Sequence, residues 1–228
     1  MKLAAEDRER LELYAVRLLE ASQRINLTGA KGPEAVWSHI EDSLQLLPFV
    51  ESPLVDVGSG GGFPAIPLAI AAGLEVTLIE ATSKKAKFLQ AIVRELDITG
   101  SVVADRAEAA AHDPALRGHF AAATGRAVGA APVVAELTVP FLRTGGLAIL
   151  QRGQLVAGER EAVEAAALML GAAVEEKMAP SGSRLLLLRK IGKTPQRFPR
   201  RTGIPSKRPL GARFHGEHNG ETANKGSR

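Results

Sequence analysis

Apolar residues near the start of the chain recur at helical spacing. Leu11, Tyr14, Leu18 and Leu19 fall on one side, with Glu and Arg on the other, which predicts a helix. A second helix is predicted from Pro33, because proline is tolerated at the first helical position and Glu34 suits the positive end. Its stripe is Val36, Ile40, Leu44 and Leu47, and Pro48 should stop it. From residue 53 to residue 190 the period changes. Short apolar runs alternate with helical stretches, the pattern of a mostly parallel sheet flanked by helices. Strands are expected near 54–57, 75–80, 101–104, 120–125, 146–151, 173–178 and 184–189, and helices near 64–72, 83–97, 130–142 and 157–170. The last strand follows Pro180-Ser181-Gly182-Ser183, a turn short enough for an antiparallel hairpin at the end of the sheet. The expected architecture is therefore α/β, a seven-stranded mostly parallel sheet. A helical cap (1–50) would precede the body (51–190), and a tail (191–228) would follow it.

Composition narrows the chemistry. The 228 residues contain no cysteine, which removes disulfides, thiolate metal sites and cysteine nucleophiles. No metal site is expected. No apolar run is long enough to span a bilayer. The uncharged stretch Val57 to Leu74 comes nearest but carries five Gly and two Pro, and reads as a loop plus a helix. The first residues lack a signal-peptide core, so the default expectation is a soluble cytoplasmic protein. Charge is uneven. The tail holds nine Lys and Arg against Glu217 and Glu221, a balance of +7 within a total of +4, so the rest of the chain carries −3. Such a tail suits a polyanionic partner or a solubilising end. With four Pro, six Gly and few apolar side chains it should be extended, and partly disordered beyond about Leu210.

The most informative segment is Leu54-Val55-Asp56-Val57-Gly58-Ser59-Gly60-Gly61-Gly62-Phe63-Pro64, where a strand ends, a glycine-dense loop follows and a helix begins. Glycines there let the backbone turn sharply and approach a ligand closely. A dinucleotide fingerprint started at Gly58 meets Phe63 where its third glycine belongs. Started at Gly60 it reaches Ala65, which leaves a dinucleotide as a formal rival. The spacing Asp56, Gly58, Gly60, Gly62 fits better the first motif of the class I S-adenosylmethionine-dependent methyltransferases. Glu80 closes the next strand, 20 residues past Gly60, where a carboxylate can accept from both ribose hydroxyls. Thr82 follows it on the same rim. After the third strand comes Asp105-Arg106-Ala107-Glu108. There Ala107 and Glu108 are placed to offer an adenine a backbone N–H or a carboxylate.

Methyl transfer from a sulfonium is an in-line displacement, so positioning supplies most of the catalysis. Methylation at pyrimidine C5 normally needs a cysteine. Methylation of an exocyclic amine usually needs an Asn/Asp-Pro-Pro-aromatic motif, and the corresponding place reads Thr124-Gly125-Arg126-Ala127-Val128. Guanine N7 needs no general base, and an arginine can order such a site but cannot act as a base. The residues are compatible with N7 chemistry without singling it out. A class I methyltransferase for a protein or small molecule, or a non-catalytic RNA-binding or ribosome-assembly protein of this fold, remains open at this point.

An ordered set of motifs resembles the bacterial small-subunit rRNA guanine-N7 methyltransferases, also called glucose-inhibited division protein B. The set runs from Asn26-Leu27-Thr28 through His39-x-x-Asp42-Ser43-Leu44, the glycine loop with Ile66-Pro67-Leu68, and Lys84-Lys85-x-x-Phe88-Leu89. It continues with Arg106-Ala107-Glu108, Arg126-Ala127-Val128, Pro199-Arg200-Arg201-x-Gly203-x-Pro205 and Pro209-Leu210. The resemblance implies a class I fold with a helical cap. It implies S-adenosylmethionine as donor and one guanine of the 530 loop of 16S rRNA as acceptor. Gly58 and Phe63 then fall at the donor site, Ala107 and Glu108 at the adenine contact, and Arg126 at the active-site arginine, also near the donor. The implied partner is 16S rRNA, in the small ribosomal subunit or its precursor, met by a monomer. Where the family often has Lys-Gly after the fifth strand, this chain has Arg152-Gly153, a planar fork instead of a point charge.

Other features have plainer expectations. His39, Asp42 and Ser43 are neighbours on one helix flank and should tie cap to body. Lys84, Lys85 and Lys87 read as a solvated face, and Trp37 as packing. Arg200, Arg201, Lys207 and Arg208 are the expected phosphate contacts, kept extended by Pro199, Pro205 and Pro209.

Overall fold

The computed structural model describes residues 3–126, 128–152 and 156–211, apart from the side chain of Arg152. Two helices, α1 (Ala5–Ser22) and α2 (Pro33–Leu44), lead into a seven-stranded sheet. Its strands are β1 (Leu54–Val57), β2 (Val76–Ile79), β3 (Gly100–Val103), β4 (Phe120–Thr124), β5 (Leu142–Arg152), β6 (Ala172–Met178) and β7 (Arg184–Lys190). They lie in the order β3-β2-β1-β4-β5-β7-β6. All neighbours pair in parallel except β7, which runs antiparallel to both β5 and β6. Strand order reverses at β1, whose neighbours are β2 on one side and β4 on the other. In open α/β sheets, ligands bind at the carboxyl ends of the strands on either side of such a reversal.

Helices α3 (Ala65–Ala72) and α4 (Ser83–Glu95) cover one face of the sheet, and α1 and α2 extend that layer. The short α5 (Ala107–Ala110), α6 (Ala131–Thr138) and α7 (Glu159–Leu170) cover the other. Alternation along β1 feeds both faces, with Leu54 in one core and Val55 and Val57 in the other. The helical cap is a packed layer. Leu11, Tyr14 and Leu18 are fully buried, and the two leucines each contribute about 1.5–3 kcal/mol.

Two expectations need correction. Helix α2 ends at Leu44, ahead of Pro48, and Pro48 sits in a separate 3₁₀ turn, Leu47–Phe49. Its buried side chains are Val36, Ile40 and Ser43, so the stripe turns away before Leu47. The segment after β7 is no free appendage as far as Gly211. Phe198 and Leu210 belong to the core against α6 and α7. The Arg117 guanidinium donates to the carbonyls of Thr194, Pro195 and Phe198. A short helix α8 (Ile204–Lys207) interrupts the extended course. Few apolar residues were enough, because those few are placed where the core accepts them. The expected disorder beyond Leu210 lies almost wholly outside the described residues.

Candidate active site

The glycine loop leaves β1 and is pinned at three points. Gly58 and Ser59 donate their N–H groups to the Ile79 carbonyl, at 2.9 and 3.1 Å. Gly60 N–H donates to Glu80 Oε2 at 2.9 Å. Tyr14 Oη–H donates to the Gly61 carbonyl at 2.8 Å, so a helix 47 positions earlier holds the loop from behind. Gly58 and Gly62 have φ of 69° and 105°, in the left-handed region. A Cβ on Gly58 would meet Val128 Cγ2 at 2.9 Å, and one on Gly62 would meet Ile66 Cγ1 at 2.6 Å. Gly62 is thus needed for seating α3, and Gly58 for the wall of the cleft.

That cleft has a volume of about 260 Å³. Gly58, Glu80, Thr82, Ala107 and Glu108 line it, together with Asp105, Arg106, Val128 and Ser206. Glu80 is nearly buried, and its Oε1 accepts the Thr82 N–H at 2.7 Å. Each of its oxygens keeps a further lone pair for a ligand. Glu108 also reaches the cleft, but Gly203 N–H occupies its Oε1 at 2.9 Å. Asp56, Gly60, Gly62, Phe63 and Arg126 do not line the cleft; they shape its surroundings. The Asp56 carboxyl is fully buried. It accepts from Thr124 Oγ1 at 2.7 Å, while its Oδ2 has no partner. Burial raises its pKa from 3.8 to about 7.

Arg126 stands just past the end of β4. Its Nη2 donates to His39 Nδ1 at 3.0 Å, and its Nη1 lies 3.2 Å from Asp42 Oδ2. The guanidinium sits 5.8 Å over the Phe63 ring. That ring in turn makes edge contacts with Tyr14 and His39. Burial first, and then the Arg126 charge, lower the pKa of His39. A neutral His39 is the form that can accept from Arg126. The expected tie between cap and body exists, and its body-side partner is Arg126 itself. Gln151, near the end of β5, joins the group by donating to Asp42 Oδ1 at 2.6 Å. Sequence reasoning missed Gln151 and the Tyr14 hydroxyl. The one available signal was a tyrosine in an otherwise aliphatic stripe, since a buried hydroxyl usually finds a partner.

The four basic residues expected to meet phosphate separate. Arg200 is committed to Glu136, a buried acid on α6, through Nε and Nη2. Its Nη2 also donates to the Arg208 carbonyl. Arg201, Lys207 and Arg208 are exposed, and Lys207 adjoins Ser206 on the rim of the cleft. The Arg152 side chain and Ala127 lie outside the described residues. Among the described residues no group of three or more His, Cys, Asp and Glu could hold a metal ion, and no helix is long and apolar enough to cross a membrane.

Comparison with known proteins gives the family and the fold. The family GidB, rRNA small subunit methyltransferase G, matches residues 7–186. The ribosomal RNA small subunit methyltransferase G of Rubrobacter xylanophilus is 41% identical over 226 residues, covering 92% of this chain and 86% of that protein. Its counterpart in Sorangium cellulosum is 45% identical over 199 residues, 82% of each. Among solved structures, the O-methyltransferase from Bacillus cereus in complex with SAH superposes with a TM-score of 0.55. The two are 17% identical, over 78% of this chain and 91% of that one. A methyltransferase from Pyrococcus furiosus gives 0.54 at 14% identity, over 81% and 98%. The fold is that of the class I methyltransferases.

Proposed function

Because the chain belongs to the rRNA small subunit methyltransferase G family, we propose that it transfers a methyl group from S-adenosylmethionine to N7 of a guanine in the 530 loop of 16S rRNA. The observation that carries this reading is an open cleft at the strand-order reversal, bounded by Gly58 and Glu80, with Arg126 fixed at the neighbouring strand end. The donor fits this wall. A Cβ on Gly58 would intrude on Val128, and the free lone pairs of Glu80 suit a vicinal diol. Ala107 and Glu108 would border the adenine.

When bound, S-adenosylmethionine supplies an electrophilic methyl on a sulfonium. The protein's own part is to bind, orient and exclude water. N7 has a free lone pair, so no side chain has to remove a proton. Arg126 positions the acceptor as a fixed cation. Methylation makes the guanine cationic, and an unbalanced guanidinium beside it would oppose the reaction. Asp42 at 3.2 Å from Arg126 offsets that charge, and neutral His39 adds none. Arg201, Lys207 and Arg208 would contact RNA phosphates and set register more than sequence choice. We place the protein in the cytoplasm, as a monomer acting on the small subunit or its precursor.

Calorimetry with S-adenosylmethionine tests the first link, and absence of binding by folded protein would remove the enzymatic reading. Arg126→Ala should fold, bind donor and lose most turnover, and wild-type turnover would remove the role given to Arg126. Mapping N7-methylguanosine in rRNA from cells with and without the protein decides the substrate.

A further inference from the structure

A second cavity lies at the opposite end of the sheet. Gly118 precedes β4, Leu142 opens β5 and Lys190 closes the antiparallel β7, so all three border the end where the parallel strands begin. The donor cleft lies where those strands end, about 17 Å away along a five-residue strand. The cavity has a volume of about 330 Å³, and Arg117, Arg143, Lys190 and Lys193 all line it, without a single acid.

Two of these cations are partly or wholly buried. Lys190 is 6% exposed. Its Nζ donates to the Leu142 carbonyl at 2.7 Å and the Val139 carbonyl at 3.2 Å. An ammonium has three N–H donors, so one remains. Arg117 spends its Nη groups on backbone carbonyls. Among the described residues neither cation has a carboxylate within ion-pair distance, and neither does Lys193. Arg143 meets only Glu51, at 3.7 Å on the exposed surface. Buried charges are ordinarily paired. Here burial, and then the Arg117 charge, lower the pKa of Lys190 from 10.5 to about 8. A purely structural lysine bonded to two carbonyls would not need three more cations around a cavity. An anion would offset all four at once, and guanidinium and ammonium groups pair best with a multiply charged oxyanion.

We propose that this cavity is a phosphate-binding site separate from the donor cleft. The phosphate has two possible sources, the backbone of an RNA strand or a free phosphate ester. The RNA source rests on the reading given under Proposed function, whereas phosphate binding itself does not.

The test uses the full chain and the double variant Arg143→Gln/Lys193→Gln, whose two side chains are exposed and make no buried contact. Inorganic phosphate is titrated while the Lys190 ammonium is followed by NMR. In the wild type the Lys190 signal should shift saturably and its titration midpoint should rise above about 8. In the variant, phosphate affinity should fall at least tenfold. An unmoved Lys190 signal, or equal binding by both proteins, overturns the proposal. An RNA fragment of the 530 region then assigns the source. If RNA occupies the site, phosphate competes with it, and the variant's salt dependence is shallower by about 1–2 in log–log slope. An unchanged slope, with the tenfold loss of phosphate affinity still seen in the variant, assigns the site to a free phosphate ester. Donor calorimetry on the same samples reads the methyltransferase assignment independently.

Discussion

Asp56 is the residue whose burial has the clearest measurable effect. In the unfolded chain its carboxyl ionises near 3.8, while in the folded chain it keeps its proton to about pH 7. Between those values the native state binds the extra proton, so Asp56 makes stability fall as pH rises through the window. Asp56→Asn should flatten that part of the profile. Thermal unfolding at intervals from pH 4 to pH 8 would show it, and an equal slope in both proteins would mean that Asp56 is ionised in the fold. At this scale the sequence was legible wherever neighbours along the chain set the geometry. The spacing from Asp56 to Gly62, and from Gly60 to Glu80, is one strand, one loop and one helix long, and each of those lengths can be read directly. The Gln151–Asp42 contact joins positions 109 apart, and no local pattern points to it. Glu108 was recognised as a cleft residue, but its bond to Gly203 depends on how the chain returns from β7.

At the scale of elements, the segment after β7 behaves in two ways. Arg200 holds the buried carboxylate of Glu136, and removing one partner of a buried pair leaves the other charge uncompensated. Arg200→Ala should therefore cost about 3 kcal/mol of stability, measured by denaturant unfolding. Loss of RNA affinity with unchanged stability would return Arg200 to the surface. Replacing Arg201, Lys207 and Arg208 together by Gln should do the reverse. Stability should hold within experimental error, while the log–log salt slope of RNA binding falls by about 2. Reading the four as one basic stretch was natural in the sequence, because Glu136 stands 64 positions earlier and its burial is a tertiary fact. The strands, by contrast, were legible to within a residue except β5, which begins at Leu142 and not near 146. Parallel strands buried on both faces leave short apolar runs with sharp polar ends.

For the whole molecule, the segment from Thr194 to Gly211 ties the helices on one face of the sheet to the cleft, through Glu136 and Glu108. Phe198 and Leu210 sit in the core beside α6 and α7, and Ser206 forms part of the wall of the proposed donor cleft. Deletion of residues 191–228 should lower the unfolding midpoint sharply and abolish donor binding, not only weaken RNA binding. Calorimetry on the truncated chain checks this, and intact donor affinity would show that the wall is dispensable.

The bond from Gly203 to Glu108 also has a consequence in time. Residues near Gly203 leave the ribosome well after the sheet has been synthesised. Until they arrive, the cleft lacks Ser206 and Glu108 Oε1 lacks its backbone donor. A nascent chain that already holds its glycine loop therefore carries an unfinished cleft, completed only once its final turns have docked.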